Sequence, residues 1–269
     1  MRRVVRFGSY TLPLTVPERS ELLRTSFGDG VPRTVRLPGA SGGFDMLGAD
    51  PLPSEIGTVR ARFSLIADSA AAMRAARDAV MGMAGMGREH LVLEMHDGSQ
   101  RWAWAKVNAI QMPAEHDSIS ARIAEVTVDW QVAYPRWFSA ASGSPLVIAA
   151  SGALTDAALT TSGTAVAQPI ITLTATSAIG ATGVRIRRMV GSITADELVY
   201  AAALANGDVL TFDCRALTVR RNGVDAYING FSAQHPAWLR LHPGANIIRV
   251  VLGAGETAAV SVAWDDTWY

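Results

Sequence analysis

Apolar and polar residues alternate one for one along much of this chain. That period of two confines it to half-buried antiparallel strands. From Thr58 to Leu65, the residues Val59, Ala61, Phe63 and Leu65 alternate with Thr58, Arg60, Arg62 and Ser64. From Arg122 to Val132, the residues Ala124, Val126, Val128, Trp130 and Val132 alternate with Glu125, Thr127, Asp129 and Gln131. Arg101 to Val107 alternates too, with Trp102 and Trp104 on one face, and Leu91 to Met95 is placed to pair with it across a turn at Asp97-Gly98.

One segment breaks the period. Asp68-Ser69 offers an N-cap, and Met73, Ala76, Val80 and Met83 recur at spacings of three and four. Gly82, Gly85 and Gly87 stop it. The spacing predicts one helix near 69–82, about four turns long, packed across a sheet face.

Composition shifts after Trp137-Phe138. From Ser139 to Pro169 the only charge is Asp156, among Ser, Thr, Ala and Gly. Beyond it the strands resume: Ile170–Thr174, Val184–Arg188, Glu197–Tyr200, Val209–Cys214, Thr218–Arg221, Ala226–Ile228, Ile247–Leu252 and Ala258–Trp264. Asn206-Gly207-Asp208 and Asn222-Gly223 read as hairpin turns between them. The expectation is a mainly β chain in three parts. Residues 1–138 form an N-terminal β domain, split-barrel or sandwich-like, with the one helix. Residues 139–168 form a low-charge junction or edge strand, and 169–269 form a C-terminal β-sandwich.

Charge narrows the function. Lys+Arg and Asp+Glu are each 24, so the formal net charge is zero, and charged residues are 18% of 269, against roughly 25% for an average globular protein. Such a chain lacks the excess of cations that a free nucleic-acid binder uses to neutralise phosphates. Its weakly charged surface suits a subunit of an assembly. An apolar share of 49% argues against disorder, although 44 of the residues are Ala. The single cysteine, Cys214, excludes an intrachain disulfide. The N-terminus lacks the apolar run of a signal peptide, and no stretch is long and apolar enough for a membrane span.

Chemistry is sparse. His90, His96, His116, His235 and His242 are scattered with no metal-ligand spacing, and no HExxH, CxxC or GxSxG motif occurs. The Gly82–Gly87 run follows a helix, whose C-terminus repels phosphate. Cys214 falls on the apolar side of its strand, as an inert thiol would. Asp265 and Asp266 are adjacent in a strand and point to opposite faces. The expectation is no enzyme, no cofactor and no metal. The Trp residues sit at strand edges and ends. Trp130 and Trp264 are in phase with the core, whereas Trp102, Trp104 and Trp268 fit either a sugar-stacking platform or interface packing.

An ordered set of motifs resembles one family. A strand from Val126 ends in Tyr134-Pro135-Arg136-Trp137-Phe138. The second half opens with Ser162-Gly163-Thr164-Ala165-Val166-Ala167-Gln168-Pro169-Ile170-Ile171-Thr172-Leu173 and passes through Gly207-Asp208-Val209-Leu210-Thr211-Phe212-Asp213 and Val219-Arg220-Arg221-Asn222-Gly223. It closes with Trp238-Leu239-Arg240-Leu241-His242-Pro243-Gly244-Ala245-Asn246 and Ala259-Val260-Ser261-Val262-Ala263-Trp264-Asp265-Asp266-Thr267-Trp268-Tyr269. Together these resemble the distal tail proteins (Dit) of tailed bacteriophages.

The resemblance implies a structural virion protein. Its N-terminal domain would build a hexameric ring and channel, and its C-terminal galectin-like sandwich would project outward. The homo-hexamer would join the tail tube protein to the tail-tip hub protein and anchor receptor-binding protein. Tape measure protein and DNA would pass through its channel, with no membrane insertion. Its place would be the virion tail tip, after synthesis in the host bacterial cytoplasm. Candidate subunit or partner interface residues are Trp102, Trp104, Pro135, Trp137 and Trp268. Pro243-Gly244-Ala245-Asn246 would turn the chain into its penultimate strand. The alternative is a carbohydrate-binding module of a host-adsorption device, although 269 residues leave no room for the inserted sugar-binding domain of larger relatives.

Overall fold

The computed structural model describes residues 3–12, 21–26, 34–36, 43–45, 57–112, 123–132, 136–141, 143–152, 154–225, 231 and 238–269. The chain divides into two compact units, Met1–Ala140 with Tyr269, and Ala141–Trp268.

The first unit holds β1 (Arg3–Phe7), β2 (Tyr10–Thr11), β3 (Glu21–Ser26), β4 (Thr34–Arg36), β5 (Gly43–Asp45) and β6 (Gly57–Ile66). Then come α1 (Ala70–Gly82), β7 (Glu89–Glu94), β8 (Gln100–Gln111), β9 (Ile123–Val132) and β10 (Trp137–Ser139). Its main antiparallel sheet runs β2-β1-β7-β8-β9-β6-β3, β10 pairs along β8, and β4 pairs β5 apart from it. The alternation read from the sequence sets the β6–β9 register. Val59 faces Trp130, Ala61 faces Val128, Phe63 faces Val126 and Leu65 faces Ala124, all buried. Each large side chain so buried contributes roughly 1.5–3 kcal/mol. The polar partners form the other face, where Arg60 makes a two-point ion pair with Asp129.

Helix α1 begins where its cap predicts, the Ser69 hydroxyl accepting from the Ala72 amide at 3.1 Å. Met73 and Val80 are its buried residues. The helix stops at Gly82, and Met83 lies in a separate 3₁₀ turn, Met83–Gly85, where it is fully buried. The contact foreseen at helical spacing is thus made from a tighter turn, closed by the Met86 amide on the Met83 carbonyl at 3.1 Å.

The second unit holds β11 (Leu146–Ser151), β12 (Thr155–Thr161), β13 (Ile170–Ala175), β14 (Val184–Val190) and β15 (Ile193–Tyr200). They are followed by β16 (Val209–Asp213), β17 (Thr218–Arg221), β18 (Val224–Asp225), β19 (Gly244–Val251) and β20 (Thr257–Ala263). A six-stranded sheet, β11-β20-β13-β16-β17-β18, and a four-stranded sheet, β12-β19-β14-β15, enclose one apolar core. Ile171, Leu173, Phe212 and Val260 reach it from one sheet, and Ile186, Leu198, Ile248 and Val250 from the other.

The segment 139–168 supplies β11 and β12, one edge strand for each sheet. Its Ile148, Ala150, Leu159 and Thr161 alternate inward. Asn222-Gly223 is the foreseen hairpin, with φ of 51° and 81°, and Arg221 pairs with Val224 across it. Asn206-Gly207-Asp208 is no hairpin. It turns the chain between β15 and β16, which belong to different sheets. The same residue chemistry serves because Gly207 takes φ 89° and the Asp208 side chain accepts from the Ala205 amide at 2.7 Å. Asp265 and Asp266 lie beyond the end of β20, not in a strand. There Asp265 pairs with Arg215, and Asp266 accepts from the Ser162 amide and the Trp264 indole. The strand expected at Ala226–Ile228 lies outside the described residues.

Candidate interaction surface

The β7–β8 hairpin assembles an aromatic cluster on the sheet face opposite Ala103 and Ala105, half-buried and flanked by the buried Val92 and Phe138. Its turn brings the Met95 amide onto the Ser99 carbonyl at 2.8 Å, with Gly98 at φ 77°. That closure sets His90 opposite Trp104 and Val92 opposite Trp102. Ala103 and Ala105 point into the core, so Trp102 and Trp104 stand on the other face, half-buried. The His90 ring lies between them, its centroid 4.2 Å from Trp102 and 4.1 Å from Trp104. Trp102 stacks on Phe138 at 4.6 Å, and its indole nitrogen donates to the Ser139 carbonyl at 3.0 Å. The Arg88 guanidinium covers the Trp104 ring at 5.2 Å.

Burial pushes the His90 imidazole below its ordinary pKa, with Glu89 acting the other way and Arg6 adding to the depression. Its Nε2 is buried and has no hydrogen-bond partner among the described residues. A neutral ring fits that setting. The cluster offers flat rings and a guanidinium, which suit packing against another surface. It offers no nucleophile beside a base.

The remaining foreseen residues scatter. Trp137 is buried, Trp268 is half-buried, and Pro135 lies outside the described residues. Trp130 is fully buried, and Trp264 packs partly buried against the sandwich core. His116 and His235 also lie outside the described residues. Sequence reasoning missed His90 and Arg88 as members of the cluster. Their signal is the register across the Asp97-Gly98 turn, which no local pattern spells out.

Among the described residues no group of three His, Cys, Asp or Glu side chains could hold a metal ion. No helix among them is long and apolar enough to cross a membrane. Cys214 is fully buried, and burial raises its thiol pKa to about 12. The outward face of the six-stranded sheet carries Val147, Ala149, Ala259, Ser261, Thr172, Thr174 and Thr211. Among the described residues no aromatic ring alternates outward from β11, β20, β13, β16 or β17.

Pro243-Gly244-Ala245-Asn246 turns the chain into β19, with Gly244 at φ 91°. Asn246 is the anchor. Its buried amide accepts from the His242 amide at 3.0 Å and donates to the His242 and Gly244 carbonyls at 2.8 and 3.0 Å.

Residues 162–268 match the siphovirus-type tail component, C-terminal domain. The crystal structure of SPP1 Dit, a protein of the hub adsorption apparatus of phages infecting Gram-positive hosts, superposes with a TM-score of 0.65 at 14% identity. The match covers 100% of both chains. A chain of the phage p2 baseplate in its activated conformation with Sr follows at a TM-score of 0.48 and 7% identity, over 98% of each chain. No curated protein matches the sequence. Residues 162–268 thus match the siphovirus-type tail component, C-terminal domain, and over its whole length the chain shares the fold of SPP1 Dit.

Proposed function

We propose that the protein is the distal tail protein of a phage or phage-derived tail. Six copies would form a ring at the end of the tail tube, between the tube protein and the tail-tip hub protein. Tape measure protein and DNA would cross its channel, and receptor-binding protein would anchor to its rim. It would be made in the host bacterial cytoplasm and reside in the virion. The reading rests on one observation: a tail component domain at 162–268 ends a chain whose whole length shares the fold of SPP1 Dit.

The chemistry is consistent with a structural role. The thiol is inert, the cluster at His90 lacks an acid–base pair, and a chain with no net charge suits a subunit that packs against copies of itself. A closed ring needs two different, complementary faces on each subunit. The carbohydrate-binding alternative has less support, because among the described residues no aromatic side chain alternates outward from the strands of the six-stranded sheet.

Light scattering after size exclusion, with negative-stain imaging of the same fractions, tests the proposal. The expected result is a discrete oligomer with ring-shaped particles. A strict monomer at every concentration, with no rings on the grid, overturns it.

A further inference from the structure

We infer that His90 is a pH-sensitive pin in the clamp that holds β10 against β8. Neutral, its ring fills the gap between Trp102 and Trp104. Protonated, it leaves that gap and lets β10 loosen. The inference is independent of the ring reading.

β10 is short, three residues from Trp137 to Ser139, and the first unit ends directly after it, at Ala140. It pairs along β8, Phe138 with Trp102 and Ser139 with Arg101. The Phe138 ring stacks on Trp102 at 4.6 Å. The Trp102 indole nitrogen donates to the Ser139 carbonyl at 3.0 Å, and the Ala140 amide donates to the Gln100 carbonyl at 3.0 Å. Trp102 is thus the side chain that clamps the strand. What supports Trp102 from behind is His90, 4.2 Å away between ring centroids, with Trp104 on the other flank at 4.1 Å. The two indoles meet edge to face at 5.7 Å, so the imidazole is the wedge on which both lean.

That wedge tolerates one protonation state better than the other. Its Nε2 is buried and has no hydrogen-bond partner. A neutral ring can leave this nitrogen without a proton. An imidazolium carries N–H on both nitrogens, so one donor would be buried with no acceptor.

The surrounding charges add to the bias. On β1, Arg6 lies opposite Val92. Arg88 precedes β7 and covers the Trp104 ring at 5.2 Å. Lys106 follows Trp104 by two residues on the same face of β8. The carboxylates are Glu89, next to His90 in β7, and Glu94, which Arg3 engages at 2.8 Å. β10 brings no titratable side chain. An indole face can hold a cation, but Arg88 already draws on Trp104, and Phe138 already stacks on Trp102. Burial disfavours the charged ring most, Glu89 opposes that, and Arg6 adds to it.

Linkage gives the direction. A ring freed from the gap regains the ordinary pKa of 6.5, and the packed ring lies below it. The packed state is therefore fully favoured above 6.5 and loses ground as pH falls toward the packed value.

Hydrogen exchange of the peptide spanning 136–141 tests this in the full chain, corrected for the intrinsic pH dependence of exchange. An NMR titration of the His90 ring runs beside it. Protection of the wild-type peptide should fall at least about tenfold between about pH 7.5 and pH 5, the effect of one unit of pKa difference. His90→Phe keeps a flat ring and removes the titration, so its protection should be the same at both pH values. Should His90→Phe fail to melt cooperatively, His90→Gln takes its place, and β10 should then be equally loose at both. Equal acid loosening in the wild type and the variant removes His90 as the cause. A His90 ring that titrates at or above its ordinary value, or one that gains its proton while the peptide stays protected, overturns the inference.

Discussion

Arg188 and Asp196 face each other in the β14–β15 register, and the Arg188 Nε donates to the Asp196 Oδ2 at 2.7 Å. Their side chains are only 8% and 1% exposed. A second guanidinium, Arg240, reaches the other oxygen of Asp196 at 3.4 Å. One carboxylate therefore holds two cations at the end of an otherwise apolar face. Removing it leaves Arg188 buried and uncompensated. Asp196→Ala should cost about 3–5 kcal/mol, the usual penalty for breaking a buried pair. Replacing the pair together, Arg188→Met with Asp196→Leu, should recover much of it. Urea midpoints at unchanged slope would measure both.

Asp208 predicts acid sensitivity. It accepts from the Asn222 amide at 2.8 Å, from the Ala205 backbone at 2.7 Å and from Arg221. These donors lower its pKa from 3.8 to about 2. A depressed carboxylate contributes stability that is fully present above its unfolded value and lost as pH falls through the folded one. The melting temperature should thus fall between about pH 4 and pH 2. Asp156, held down by Arg249, and Asp97, held down by Ser99, act in the same direction. Asp208→Asn should melt lower at pH 7 and lose less on acidification than the wild type. A parallel decline in both would remove Asp208 as a cause.

Gly183 takes φ 67°, and a Cβ there would collide with the Tyr200 carbonyl. Gly183→Ala therefore adds both backbone strain and overlap, and should destabilise by well over about 1 kcal/mol. Gly207 has φ 89° but open space around it, so Gly207→Ala should cost less. Thermal melts of the two variants side by side separate strain from collision.

The long strands and the helix could be read directly because their patterns are strong. Val59 to Leu65 against Ala124 to Trp130 puts bulky residues at every second place, and Ser69 marks the helix start unambiguously. β11 and β12 were hard to resolve for the opposite reason. In a run of Ala, Ser and Thr the inward Ala150 and Thr161 differ little from their outward neighbours. Cross-strand register carries the rest. Trp102 and Trp104 share a face by alternation alone, but His90 joins them only through a turn whose length fixes the pairing. Arg188 reads as a solvent-facing strand residue until Asp196 is placed opposite it.

Cys214 should be a silent thiol. Its pKa of about 12 reflects burial first, with Asp213 and Asp196 adding to it. Only the thiolate reacts, so Ellman's reagent should leave the native protein unmodified at pH 8 and titrate one thiol once urea unfolds it. Rapid labelling of the native protein would show that the sandwich opens locally around the β16 terminus.

The first unit should assemble without the second. Its buried set, including Phe7, Phe63, Leu91, Val126 and Trp130, forms a core of its own. A truncated chain ending at Ala140 should therefore fold, give a cooperative melt and still form rings. If it folds but stays monomeric at concentrations where the full chain assembles, residues beyond Ala140 carry a necessary part of the contact. The ring would then depend on the sandwich as well.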